Sequence, residues 1–333
     1  MEDYVVRDGD IILTIDGFIF YAVGYDHPKN KAISYLKYIP QVLKEKFPLD
    51  FIKNIWYHEK IPYIRPKKLY SPENFKKILN SFKEFFPSYL HSSNTIQKEI
   101  FVVPTDKIKR VFVPKEGLQE LIQKKNKDKL EEFALDLIHF LSEKSNIPLK
   151  QFGLHGSLLT GMHSEQSDVD IGVYNHLNYN KLKDAIKKLV ENKEVNYLFE
   201  IESDTWRFNK CEYRGKKFVF NAIRDLNQVK NAYNYTQYEP QSVIKGTAVI
   251  TDISEAAYRP ALYKIKEVEG KFDELIPSQV VSMIGEYRDI VRVGQRIEFR
   301  GLLEKVIDKR SNSEYSRIFI GSENEGEYVK PII

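Results

Sequence analysis

Apolar residues follow three different rhythms along this chain. In the first third they come in unbroken β-branched and aromatic runs. Ile11-Ile12-Leu13-Thr14-Ile15 and Phe18-Ile19-Phe20-Tyr21-Ala22-Val23 flank Asp16-Gly17. Such runs suit a pleated surface, and the Asp-Gly dipeptide predicts a hairpin with a type I′ turn, whose two central positions need positive φ. Residues 35–40 read as another strand, and residues 71–86 as a helix opened by Ser71-Pro72-Glu73.

From about residue 115 the rhythm changes. Leu130, Phe133, Ala134, Leu137, Ile138 and Leu141 recur at helical spacing between charges, which predicts a helix over 127–144. Residues 151–154, 167–174 and 216–223 read as strands, and 181–191 as an amphipathic helix. Helices alternating with strands indicate an α/β sheet. Beyond residue 263 helical spacing fades. Short strands are expected at 280–283, 297–300, 302–307 and 315–320, with a turn at 308–313. Closely spaced strands with glycine at corners suggest a small β-barrel, OB-like in preference to SH3-like. The expected organisation is therefore a β-rich N-terminal module (1–112), an α/β domain (113–236), a linker carrying Pro240 (237–262) and the barrel (263–333).

Composition narrows the class. At 333 residues the chain exceeds one ordinary core, and 42% hydrophobic with 29% charged residues excludes disorder, collagen and fibre as global readings. No run reaches the roughly 18 uncharged apolar residues of a membrane helix. Met1-Glu2-Asp3 has no basic leader, so no secretory signal and no membrane partner are expected. Cys211 is the single cysteine, which permits neither an internal disulfide nor a cysteine-based zinc site. These features point to a cytoplasmic protein. Net charge is only +4, which permits nucleic-acid contact without arguing strongly for it. His27, His58 and His91 lack the spacing of a shared metal site.

The chemistry concentrates at Gly156-Ser157 and, ten residues later, Asp168-Val169-Asp170. A Gly-Ser turn opening a helix offers backbone amides and a hydroxyl to an anion such as a triphosphate. Two aspartates two apart on a strand point to one face, where they can bind hard cations that neutralise phosphate oxygens. Neither piece is specific alone. Their combination in strand–turn–helix–strand order suits metal-assisted nucleotidyl transfer.

Gly156-Ser157-Leu158-Leu159-Thr160-Gly161 running into Ser167-Asp168-Val169-Asp170-Ile171-Gly172-Val173 resembles the nucleotidyltransferase domain of the DNA polymerase β superfamily. More narrowly, the chain is similar to an archaeal group of predicted nucleotidyltransferases, including its Gly9-Asp10-Ile11-Ile12 and Phe18-Ile19-Phe20 region and its C-terminal part. The resemblance implies an α/β (α+β) core, with a mixed sheet flanked by helices, and a divalent ion, Mg²⁺ or Mn²⁺, between Asp168, Asp170 and an NTP. It also implies a third carboxylate on a later strand. The strand at 218–223 instead offers Asn221, which cannot act as a base at neutral pH. Asp225, or Glu200 and Glu202, are other sources.

Among Arg207, Lys210, Arg214, Lys216, Lys217 and Arg224, the residues expected at the nucleotide with Gly156 and Ser157 are Arg214 and Arg224. His155 and His163 flank the Gly-Ser loop. Arg288, Arg292, Arg296 and Arg300 interleave with aromatics as on a nucleic-acid groove, or simply face water. The expected function is metal-dependent transfer of NMP from NTP to a hydroxyl acceptor, RNA or DNA before protein or small molecule, with release of pyrophosphate. The alternative, favoured by Asn221, is a weakened or inactive protein of the same fold that binds nucleotide or nucleic acid.

Overall fold

The computed structural model describes residues 5–69, 71–229, 233, 235–272 and 275–332. Eight strands form the first sheet: β1 (Ile11–Thr14), β2 (Ile19–Ala22), β3 (Lys31–Pro40), β4 (Trp56–His58), β5 (Ile61–Ile64), β6 (Leu90–Ser93), β7 (Lys98–Pro104) and β8 (Ile108–Phe112). Their order is β4-β5-β3-β2-β1-β8, with β7 pairing β3 and β6. Helix α1 (Pro72–Phe85) starts at Ser71, whose side chain accepts from the Asn74 amide. It packs Ile78 and Phe82 into an aromatic core with Phe18, Phe20 and Tyr89; the Phe18 and Phe82 ring centres are 5.2 Å apart.

The unbroken apolar runs have a physical reason. Ile12, Phe18 and Phe20 serve that aromatic core, whereas Ile11, Leu13, Ile19, Tyr38 and Tyr63 belong to a second core on the opposite face. A sheet covered on both sides needs no polar alternation. The β1–β2 hairpin forms, but its turn is not type I′. Only Gly17 has positive φ, because Phe18 N donates to Thr14 Oγ1 and Gly17 N to Thr14 O in a longer loop.

The second core is shared with a five-stranded sheet: β9 (Phe152–Leu154), β10 (Val169–Tyr174), β11 (Asn196–Tyr197), β12 (Lys210–Tyr213) and β13 (Lys216–Ile223), in the order β11-β12-β13-β10-β9. The β10–β13 pair is parallel and the others antiparallel, so the sheet is mixed. Around it lie α2 (Pro114–Gln123), α3 (Lys129–Ser145), α4 (Gly156–Thr160), α5 (His176–Glu191) and α6 (Asp204–Arg207). Helix α3 supplies the apolar face expected from its spacing, with Leu130, Ala134, Leu137, Ile138 and Leu141 buried. Helix α5 starts five residues earlier than its periodicity suggests, since Asn175 caps it by accepting from the Leu177 amide.

The third sheet comprises β14 (Thr236–Glu255), β15 (Ala261–Gly270), β16 (Gln279–Ser282), β17 (Arg296–Asp308), β18 (Ser313–Ile320) and β19 (Tyr328–Pro331). Residues 237–262, expected as a linker, are therefore mostly strand. Pro240 is tolerated beside a register shift of the β14–β17 pair. The two strands expected at 297–300 and 302–307 are one, continuous through Gly301, where a Cβ would come within 2.8 Å of Phe319 O and Ile318. The architecture is mixed α+β with several sheets. Among the described residues no helix is long and apolar enough to cross a membrane.

Candidate functional site

Strand β9 is only three residues long and buried throughout. Gly153 lets the start of α2 lie directly on it, since a Cβ there would meet the Pro114 backbone at 2.7 Å. The chain then turns at Gly156, whose φ is +59°, into the short helix α4, and leaves it through Gly161 at φ +65°. A Cβ on Gly156 would fall 2.1 Å from Asp170 Oδ2. The glycine is thus required twice, by its backbone and by the carboxylate seated over it.

Asp168 and Asp170 share one face, as their spacing predicts. Val169 and Ile171 are fully buried on the other. Parallel pairing sets Val219 beside Asp170 and Asn221 beside Gly172. Lys217, on the Val219 face, bridges Asp168 at 3.2 Å and Glu200 at 2.9 Å. Burial and the Asp168 charge push the Asp170 carboxyl up to about 6, against the opposing pull of Lys37, Lys217 and Arg65. Lys37 comes from β3 of the first sheet, and Arg65 directly follows β5. Burial, with Arg65 and Arg259 nearby, holds the Lys37 ammonium down to about 7.

This strand–turn–helix–strand unit coincides with a family model described as a nucleotidyltransferase domain, which matches residues 135–238. Over essentially its whole length the chain is also similar to the uncharacterized protein MJ1086 of Methanocaldococcus jannaschii. The two are 30% identical over 348 aligned positions covering 98% of each. No solved structure matches. The chain belongs to the nucleotidyltransferase-domain family. Within that family it shares a full-length archaeal relative, so the first and third sheets belong to the likeness as well as the motif.

The remaining expected residues of this nucleotidyltransferase domain fall in different places. Ser157 is half-buried in the first turn of α4, next to Gly156. Asn221 lies one side-chain pair beyond Asp170, and its Oδ1 accepts from Arg288 at 2.7 Å, Arg207 at 3.3 Å and Asn209 at 3.4 Å. Asp225 pairs with Lys115 at 3.1 Å at the far end of β13. Arg224 pairs with Glu255 and lies over the Tyr258 ring. Arg214 sits exposed at the tip of the β12–β13 hairpin, against Tyr213. The structure thus gathers Gly156, Ser157, Asp168 and Asp170, and sets Arg214, Arg224 and Asp225 apart from them. Of the alternative carboxylates, Glu200 is the one joined to Asp168, through Lys217.

Two histidines resolve differently. The His155 side chain lies against Gly9 and Gly172, and its Nε2 is buried. Burial and the charges of Arg288 and Arg259 drive it down to about 3, so it is neutral. His163 Nε2 donates to the Asp128 carboxylate at 2.8 Å, and with Glu131 these side chains bring three metal-capable atoms within 4.8 Å of one another. They are already occupied. Asp128 and Glu131 form the reciprocal cap of α3, and both Glu131 oxygens accept from Lys124 at 2.6 Å.

Sequence reasoning missed Lys37 and Arg65. Lys37 stands in an otherwise apolar and aromatic stretch, Tyr35-Leu36-Lys37-Tyr38-Ile39, which was the available signal.

Proposed function

We propose that this protein is a metal-dependent nucleotidyltransferase that moves NMP from an NTP to a hydroxyl acceptor and releases pyrophosphate. The observation that carries the reading is the seat of the Asp170 carboxylate on Gly156, with Asp168 on the same face. A side chain at position 156 would fill that cradle. Two carboxylates on one face suit Mg²⁺, which takes one or two protein carboxylates and completes its shell with phosphate oxygens and water. When bound, the ion would neutralise phosphate charge at the reacting phosphorus. Asp168 and Asp170 would hold it, and Gly156 and Ser157 would receive the triphosphate. Lys217 restrains Asp168, and burial together with the Asp168 charge raises the Asp170 carboxyl.

An OB-like reading of the third sheet is supported by its pairing path. The path runs β14-β15-β16-β18-β17, β14 also pairs β17, and β16–β18 is parallel. Such sheets bind single-stranded nucleic acid, which favours RNA or DNA as the acceptor. A second reading has a specific observation behind it. Val219 and Lys217 occupy the positions beside the Asp pair, and Asn221 is taken up by two guanidinium groups. A protein lacking the third carboxylate would bind nucleotide and transfer it slowly or not at all.

Titration with each NTP, with and without Mg²⁺, tests the main reading. Metal-dependent binding in the wild type and its loss in folded Asp168→Ala is the expected result. Wild-type indifference to every NTP would overturn it. Turnover of labelled NTP onto RNA or DNA then separates the enzyme from the binding protein.

A further inference from the structure

The first sheet reaches the Asp pair through a β-bulge. Along β2 and β3, Tyr21 faces Tyr35 and Phe20 faces Leu36, but Ile19 faces Tyr38. Lys37 is the extra residue. A bulge bends its strand and re-aims the side chains at that point. Leu36 stays in the aromatic core of the first sheet, whereas Tyr38 enters the core shared with the nucleotidyltransferase sheet. Lys37 turns to the Tyr21 side, with its ammonium 5.1 Å from the centre of that ring and within electrostatic range of Asp170. Arg65 follows β5, which the Ile39–Ile64 pairing brings beside the end of β3. It lies close to the Tyr38 side chain and is likewise within range of Asp170.

Charge explains why these residues would be useful there. Lys37, Arg65 and Lys217 all act on the Asp170 carboxylate, and a divalent ion on the Asp pair would leave this part of the molecule more positive. Cations drawn out of water are costly unless anionic charge meets them. A polyphosphate supplies that charge, and a lone phosphomonoester supplies much less of it.

We propose that Lys37, supported by Arg65, is a phosphate-binding residue of the nucleotide site, contributed by the N-terminal sheet and directed at the β- and γ-phosphates. The inference rests on the reading of Asp168 and Asp170 as a metal–triphosphate site. It gives the first hundred residues a role: the triphosphate lies between two sheets, and the first sheet selects triphosphates over monophosphates.

The test is calorimetric titration of wild type, Lys37→Gln, Lys37→Arg and Arg65→Gln with Mg²⁺ and each NTP, the corresponding NMPs, and inorganic pyrophosphate. Lys37→Gln is expected to weaken NTP and pyrophosphate binding about tenfold, the equivalent of one charge-assisted hydrogen bond, and to leave NMP binding within about twofold. Lys37→Arg should keep most of the NTP affinity, and Arg65→Gln should lose several-fold. Arg65 lies outside the bulge, so a folding defect at Lys37, seen by circular dichroism, does not decide the outcome. Unchanged NTP affinity in both glutamine variants overturns the inference while the nucleotide-site reading stands. Equal losses for NTP and NMP also overturn it. If wild type binds no NTP, the reading fails and the inference falls with it.

Discussion

Two neighbouring stretches of one sheet face are built in opposite ways. Around Asp168 and Asp170 carboxylates are crowded, one of them is held well above its ordinary range, and a glycine keeps the space beneath it clear. One residue pair further along, Gly172 and Asn221 sit in a corner where Arg207, Arg288 and Asn209 all donate to a single amide oxygen. The first stretch stores unfavourable charge that a cation would relieve. The second has its oxygen fully used. Proximity to the Asp pair therefore does not make Asn221 a ligand. The Asp128–Glu131–His163 cluster makes the same point, since its carboxylates already cap a helix and pair with a lysine.

The largest effect is expected from Gly156→Ala. Positive φ and a Cβ driven onto the Asp170 carboxylate should together cost about 2–4 kcal/mol in thermal or urea unfolding, with loss of metal-dependent nucleotide binding. A variant that keeps both stability and binding would remove the basis for the cradle.

Asp170→Asn should stabilise the protein in chelator-treated buffer at pH 7.5. The sign follows from the raised pKa: the native state holds the Asp170 proton more tightly than the unfolded chain between pH 3.8 and about 6. Stability is therefore lost as pH rises through that window, and the penalty is complete above it. Discounted for partial exposure, relief by the neutral amide is about 1–2 kcal/mol. Below about pH 4 wild type and variant should unfold alike. A gain that persists at pH 3.5 would point to packing in place of charge.

Asp128→Ala sharpens the contrast with the acidic cluster. Loss of the α3 cap should cost about 1 kcal/mol. Mg²⁺ and nucleotide affinities should match wild type, and a drop in either would make that cluster part of the site. The smallest effect is expected from Asn221→Asp. Its carboxylate would fall between Arg207 and Arg288, changing stability by about 1 kcal/mol or less and leaving transfer unchanged. Val219→Asp, in register with Asp170, is the variant expected to tighten Mn²⁺ binding. Transfer that rises only in Asn221→Asp would break the comparison.

Much of the site's central strip was legible before any coordinates. Gly156-Ser157 and Asp168-Val169-Asp170 are local signals, because a period of two places both acids on one face whatever surrounds the strand. The helical spacing of Leu130–Leu141 was similarly self-contained. Charged residues further off were not legible in this way. Arg214 and Arg224 lie near the motif in sequence, yet a hairpin tip carries one away and Glu255 with Tyr258 claims the other. Lys37 and Arg65 lie more than a hundred residues upstream of Asp168 and arrive through a bulge and a strand pairing that no local pattern announces.

By itself, the sequence determined the motif, its family likeness and the helices with a clear apolar face. Those features depend on spacing within a single element. Tertiary structure alone decided that the first sheet shares its core with the second, that residues 236–255 extend as a strand, and which cations face Asp170. Each of these depends on register between distant strands and on which charges are withdrawn from water together. Contacts of that kind have no period along the chain.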